Sequence, residues 1–272
     1  MNKLNELQQR LLEMLSFFHS FCEQHGLTYY AQGGTMLGAV RHGGFIPWDD
    51  DIDVGMPRRD YEKLADFPEL AEGRYLLETV CSRNADFCYP FTKLYDRTTT
   101  LIENTRQQTR RGIYLDIFPL DGIGDTREEA ERNFAAMQGR KNLLSLRTIA
   151  YRKDRAFYKN AALLAVNAIP ERLLSAKKLS LEINDMCRRY DFDASAWGGN
   201  LVGAWGLKEI VPRSVYGVPT RYRFENLEIY GAEDPDGYLT ALYGDWRQLP
   251  PEEKRVSHHD YYLDLNTPFL YD

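Results

Sequence analysis

Residues 29–61, YYAQGGTMLGAVRHGGFIPWDDDIDVGMPRRDY, decide the fold. They run from an aromatic strand through Gly33-Gly34 and a short helix to four carboxylates in five residues: Asp49, Asp50, Asp51 and, after Ile52, Asp53. Side chains two apart on a strand share a face. A strand over 51–54 therefore projects Asp51 and Asp53 together and turns Ile52 and Val54 toward the core. Carboxylates held side by side repel unless a cation lies between them. Ligands that are all oxygen suit magnesium, or manganese. A calcium loop starting at Asp49 would find acids at its first, third and fifth positions, with Asp60 at the twelfth. The turn glycine belongs at the sixth, however, where Val54 stands, and Gly55 is one residue late.

Upstream, Leu4, Leu7, Leu11, Leu15, Phe18 and Cys22 recur at three- and four-residue steps, one face of a helix, which Gly26 stops. A strand is expected over 27–32 and a helix over 36–41, capped by Thr35. Two glycines before a helix N-terminus make either a plain turn or a phosphate cradle. The acidic strand downstream favours the cradle. Arg41 and His42, at the helix end, either contact phosphate or complement the helix dipole.

Downstream, the pattern predicts a helix over 58–67 and strands over 75–80 and 87–95, the latter carrying Lys93. In 112–122, GIYLDIFPLDG, Asp116 interrupts a run of β-formers. A lone buried Asp is costly, but Asp116 becomes reasonable beside Asp51 and Asp53 at a metal. The bland alternatives are a solvent-facing edge position for Asp116 and a helix or turn cap for Asp121. Residues 126–183 read as helical, with arginines and lysines interleaved among apolar residues. That pattern suits either an anionic membrane surface or the solvated face of a helical subdomain. Trp197 and Trp205 lie in a glycine-rich stretch. His258 and His259 could touch a phosphate or shuttle a proton, or pair with surface carboxylates.

At 272 residues the chain can bury a full core, as one large domain or as a catalytic core with an appended half. A net charge of −6 argues against a nucleic-acid partner. The four cysteines show no zinc spacing and fit free thiols in a reducing cytoplasm. No apolar run reaches the roughly 20 residues of a membrane span, and residues 1–3 lead into a charged amphipathic segment. The expected location is therefore cytoplasmic, at the inner face of the membrane if the basic helices dock there.

Gly33-Gly34-Thr35, Leu37-Gly38-Ala39, Arg41-His42, Gly44-Phe45-Ile46-Pro47-Trp48 and the acidic run together resemble the LicD family. These are phosphotransferases with a nucleotidyltransferase-type fold. The segments from Tyr238-Leu239 to Tyr243-Gly244-Asp245, Leu249-Pro250-Pro251 and His258-His259 extend the resemblance to the other end of the chain. It implies an α/β (α+β) fold: a mixed sheet with flanking helices, a helical insertion and a C-terminal elaboration. The expected boundaries are a catalytic core over 1–125, a helical segment over 126–190 and a site-completing part over 191–272.

The resemblance also implies transfer of phosphocholine from CDP-choline to a hydroxyl of a cell-surface glycan precursor (teichoic acid, lipopolysaccharide or capsule), lipid-linked or not, with release of CMP. Asp51, Asp53 and Asp116 would hold one or two magnesium ions. Asp116 or Asp49 would act as base. Gly33, Gly34, Thr35, Arg41, Lys93, His258 and His259 would serve the substrate, and Trp48, Trp197 or Trp205 a choline cage. The alternatives are another CDP-alcohol such as ribitol or glycerol, true nucleotidyl transfer, and a non-catalytic metal- or glycan-binding module.

Overall fold

The computed structural model describes residues 4–103, 105–257 and 262–269. The chain opens with helix α1 (Glu6–His25), fixed at its start by a reciprocal cap. The Asn5 side chain accepts from Gln8 N, and the Gln8 side chain accepts from Asn5 N. Leu11, Met14, Leu15, Phe18, Phe21 and Cys22 are buried along one face, and Gly26 ends the helix at φ 61°. There follow β1 (Tyr30–Ala31), α2 (Gly33–His42), β2 (Asp53–Pro57), α3 (Arg58–Lys63), α4 (Glu69–Glu72), β3 (Tyr75–Glu78), β4 (Thr92–Asp96), β5 (Thr100–Ile102), β6 (Arg110–Arg111) and β7 (Tyr114–Gly124). Three helices come next: α5 (Arg127–Thr148), α6 (Phe157–Ala168) and α7 (Ala176–Cys187). The C-terminal part supplies β8 (Trp197–Asn200), β9 (Ile210–Pro212), α8 (Arg213–Tyr216), β10 (Thr220–Phe224), β11 (Leu227–Gly231), α9 (Pro235–Tyr243) and β12 (Tyr262–Asp264).

Seven strands form a mixed sheet in the order β1-β2-β7-β4-β3, with β8 and then β9 continuing from the far end of β7. The β2–β7 pair is parallel and the other pairings are antiparallel. Strand β7 is long enough for one edge to serve two neighbours, β4 along Tyr114–Ile117 and β8 from Leu120 onward. Val54, Met56, Leu115, Ile117 and Leu120 are buried on this central pair, as strands covered on both faces require. Two small antiparallel sheets, β10-β11 and β12-β5-β6, complete the fold.

The main core joins α1, α2 and the central strands to Phe192, Tyr216, Phe224, Tyr238, Leu242 and Trp246 from the C-terminal part. A second core lies between α5, α7, β8 and the end of β7, around Ile123, Phe134, Leu179 and Ile183. The fold is thus the mixed α/β architecture expected. Several local expectations are corrected. The strand over 27–32 shrinks to Tyr30–Ala31, because only these residues pair with β2, at Gly55 and Val54. Helix α2 starts at Gly33, and Thr35 does not cap it. Thr35 is buried, and its Oγ1 accepts the Asp53 N–H at 2.9 Å. Asp121 is no cap either: it is fully buried in β7 and receives Arg58 in a two-point ion pair of 2.8 and 2.6 Å. The helical region is broken at 149–156 and 169–175, and several of its basic side chains act as internal clamps. Lys177 Nζ donates to the carbonyls of Ser82, Asn84 and Phe87, and buried Arg147 donates to those of Val166 and Ile169. No helix among the described residues is long and apolar enough to cross a membrane.

Candidate active site

The site forms where β2 and β7 begin. Their parallel register puts Asp53 beside Asp116, and the antiparallel register of β4 puts Lys93 on the other side of Asp116. Cross-strand partners share a face, so Asp53, Asp116 and Lys93 form a row of alternating demand: acid, acid, base. The Asp49–Asp51 segment runs into β2 just before this row. One ligand oxygen from each of Asp49, Asp50 and Asp51 lies within 4.8 Å of the others. The Asp49 carbonyl accepts from Gln8 Nε2 of α1 at 3.0 Å, and Ser257 hydrogen-bonds the Asp50 carboxylate.

The first turn of α2 sits against these acids, and its glycines are explained by them. Gly33 has φ 48°, a conformation that favours glycine. A methyl group there would lie 3.3 Å from Asp53 Oδ2, and one on Gly34 would lie 2.5 Å from Asp49 Oδ2. The anions that approach the helix N-terminus are therefore the protein's own Asp49 and Asp53 carboxylates. The Gly33 N–H donates to Tyr238 Oη at 3.0 Å, and that hydroxyl also reaches Gln32 Oε1 at 3.0 Å, which Tyr216 Oη meets at 3.2 Å. Two tyrosines from the C-terminal part thus pin the start of α2.

Burial governs the site's electrostatics, and the crowding of like charges adds to it. Burial, reinforced by Asp51, Asp116 and Asp49, drives the Asp53 carboxyl well above the usual range. Asp116 is pushed up to about 6: burial raises it, Lys93 pulls it back, and Glu103 and Asp51 push it up again. Asp116 Oδ1 lies 3.3 Å from Lys93 Nζ in an ion pair, yet it is buried and makes no hydrogen bond among the described residues. Lys93, 2% exposed, also faces Glu103 at 3.6 Å. Its ammonium lies 3.1 Å from the centre of the Tyr114 ring and 4.6 Å from that of Tyr89. Glu103 accepts from the Tyr89 and Tyr114 hydroxyls. Burial would raise the Glu103 carboxyl, but Lys93 and the two tyrosines outweigh it and hold it low.

An aromatic wall stands beside the acids. A methyl on Gly33 would lie 3.8 Å from Tyr243 Oη, and burial, with the charges of Asp53 and Asp49, raises that phenol. Trp205, 47% exposed, packs edge-on to Tyr243 at 5.1 Å. Buried Glu209 accepts the Trp205 N–H at 2.8 Å, and burial pushes its carboxyl up to about 7.

The structure brings together Asp49, Asp51, Asp53, Asp116, Gly33, Gly34 and Lys93, with Thr35 one shell behind, holding the entry to β2. Arg41 does not turn to the acids: its guanidinium donates to Trp246 O at 2.7 Å. The Trp48 ring is covered by the Arg255 guanidinium at 5.6 Å, and Trp197 packs against the second core. His258 and His259 lie outside the described residues. Sequence reasoning missed Glu103 and Glu209, isolated acids with no motif around them. It also missed Tyr243, although the segment containing it was singled out.

The donor set fits a hard divalent cation. It is all oxygen: Asp49, Asp50 and Asp51 bring ligand oxygens within 4.8 Å of one another, and beside them buried Asp116 Oδ1 makes no hydrogen bond among the described residues.

Known proteins resemble this chain over the segment that carries most of these residues. The family model described as LicD/FKTN/FKRP, nucleotidyltransferase domain, matches residues 26–145, which hold all of these acids except Glu209. The lipopolysaccharide cholinephosphotransferase LicD of Haemophilus influenzae is 29% identical over 95% of this chain and 97% of its own length. The human ribitol 5-phosphate transferase FKRP is 42% identical over 50 residues, 18% of this chain and 10% of that protein. The mannosyltransferase regulator 4 of Saccharomyces cerevisiae is 30% identical over 28% of this chain and 7% of its own length.

Proposed function

We propose that this chain, similar to a LicD cholinephosphotransferase along nearly its whole length and matching the LicD/FKTN/FKRP nucleotidyltransferase domain over residues 26–145, transfers phosphocholine from CDP-choline to a hydroxyl of a cell-surface glycan precursor. The observation that carries this reading is the cluster of acids at the start of β2 and β7: Asp49 and Asp53 lie against the first turn of α2, Asp116 stands beside Asp53 across the strand pair, and the Asp51 charge acts on both Asp53 and Asp116. The Haemophilus relative, similar along nearly its whole length, supports the choline head group and the glycan acceptor.

Asp51, Asp53 and Asp116 would hold one or two magnesium ions. Bound there, the metal would neutralise the donor diphosphate and stabilise attacking and leaving oxygens in an in-line displacement. Asp49, held against Gly34, accepts the proton of the acceptor hydroxyl. The acceptor oxygen forms its bond to the phosphorus that carries choline, the bond from that phosphorus to the bridging oxygen breaks, and CMP leaves. Lys93 keeps a fixed positive charge behind Asp116, which limits the repulsion among the acids. Trp205 and Tyr243 offer an aromatic face for the trimethylammonium group, whose charge needs no hydrogen-bond donor or acceptor.

A second reading, transfer of another CDP-activated alcohol, is favoured by the similarity to the ribitol 5-phosphate transferase across 50 residues. Release of CMP from CDP-choline, CDP-ribitol and CDP-glycerol, each with magnesium and with chelator, tests both. Metal-dependent release from CDP-choline alone supports the first. Release from another donor replaces the head group. No release and no donor-induced thermal stabilisation, in folded protein that binds magnesium, would overturn both.

A further inference from the structure

Helix α6, FYKNAALLAVNA, turns seven of its nine apolar residues outward. Phe157, Ala161, Leu164, Ala165 and Ala168 recur at helical spacing on one face, Tyr158 and Ala162 widen it, and all seven are exposed. Phe157 is 88% exposed, Tyr158 69% and Leu164 57%. The opposite face, turned to the protein, carries buried Leu163, half-buried Val166 and the two asparagines. Asn160 Nδ2 donates to the Arg152 carbonyl at 2.9 Å, and Asn167 Nδ2 to that of Leu146 at 3.0 Å. A surface helix of a water-soluble domain normally does the reverse. The connections at each end continue the pattern, with Tyr151 at 54% exposure and Leu173 at 71%.

Charge selects the partner. Residues 149–173 hold five basic side chains, Arg152, Lys153, Arg155, Lys159 and Arg172, against two acids, Asp154 and Glu171. This segment is net +3 in a chain of net −6. Apolar residues on one helix face with a basic fringe are the composition that lies in the headgroup region of an anionic bilayer. At 12 residues the helix is too short to span it. A protein partner that buried this face would need an acidic rim, whereas a bilayer containing anionic lipid supplies both an apolar layer and negative charge.

We infer that α6, with its two flanking connections, docks the protein on an anionic membrane surface. The docking face is tied to the candidate active site. Thr105 forms a β-bridge with Ile149, and Arg106 N donates to Thr148 O at 2.9 Å. Glu103, which faces Lys93, lies on the same connection between β5 and β6. A membrane under α6 would therefore lie close to the strands that carry the acids. This inference does not depend on the donor's identity.

The test is flotation of the full chain with vesicles of phosphatidylcholine alone or mixed with phosphatidylglycerol, at low and high salt. Wild type should float with the anionic vesicles at low salt, and the bound fraction should fall with salt and on phosphatidylcholine alone. Phe157→Asp with Leu164→Asp, and separately Lys153→Glu with Lys159→Glu and Arg172→Glu, should each weaken binding by about tenfold or more. Melting temperature should stay within a few degrees of wild type, since these side chains are exposed. The inference is overturned if wild type does not float, or if neither variant weakens flotation. It is equally overturned if sedimentation shows a dimer that the Phe157→Asp, Leu164→Asp variant dissociates, which would give the face to a second copy.

Discussion

Asp116→Asn in the metal-free protein measures the cost of burying that carboxylate among the other acids. The Asp116 carboxyl is raised from 3.8 to about 6. Between those values the folded protein holds a proton that the unfolded chain has lost. Stability is therefore lost as pH rises from the unfolded value through the folded one. At about 1.4 kcal/mol per unit, ionised Asp116 costs the folded state about 3 kcal/mol above pH 6. Asn keeps the shape and removes the charge, while Lys93 keeps Glu103 as its counter-ion at 3.6 Å. For a chain of this size the gain corresponds to roughly 5–10 °C in Tm. Calorimetry in chelator from about pH 4 to about pH 8 should show a Tm advantage for the variant that is small at the acid end and full near pH 7. Saturating magnesium should reverse the order by binding the native wild type. An advantage that is flat with pH, or a variant less stable throughout, would refute the reasoning. Asp116 would then be settled by Lys93 alone, and the case for a cation at this row would weaken.

Asp51→Asn and Asp53→Asn should each lower CMP release by about a hundredfold or more while circular dichroism shows a folded protein; normal activity in both would remove the metal-site assignment. Lys93→Met should destabilise the chain by about 3–5 kcal/mol, because it leaves Asp116 and Glu103 buried without their shared cation; urea unfolding measures this, and a loss below about 1 kcal/mol would contradict it. Trp205→Ala should raise KM for CDP-choline by about tenfold and leave that for CDP-glycerol nearly unchanged, whereas equal effects on both donors would make Trp205 a purely structural residue.

The part of the fold that follows from local chemistry was legible in the sequence. The α1 stripe, its Gly26 stop, and the β-forming run around Asp116 all read directly, because helix periodicity and β-propensity act over a few residues. The strand-pair logic also located Asp53 and Asp116, since a charge inside an apolar strand has few reasons to be there. What failed depends on contacts far apart in the chain. Thr35 looked like a cap and instead holds the Asp53 N–H. Asp121 looked like a cap and instead receives Arg58, 63 residues earlier. Glu103 and Glu209 had no local signature, because only the folded chain brings Lys93 to one and Trp205 to the other. The basic and apolar residues of 126–183 suited either a membrane surface or a solvated face, and only burial shows which side of α6 faces outward.

The pinning of α2 by Tyr238 has a consequence for the order of events during synthesis. The Gly33 N–H and the Tyr238 hydroxyl are 205 positions apart, as are Arg41 and the Trp246 carbonyl it binds. Contacts of such long range are closed late, after the loops between them have collapsed. A chain growing from its N-terminus makes the acidic stretch early but cannot fix the helix beside it until α9 has emerged. The start of α2 thus stays unpinned through most of translation, until the last quarter of the chain folds onto the first.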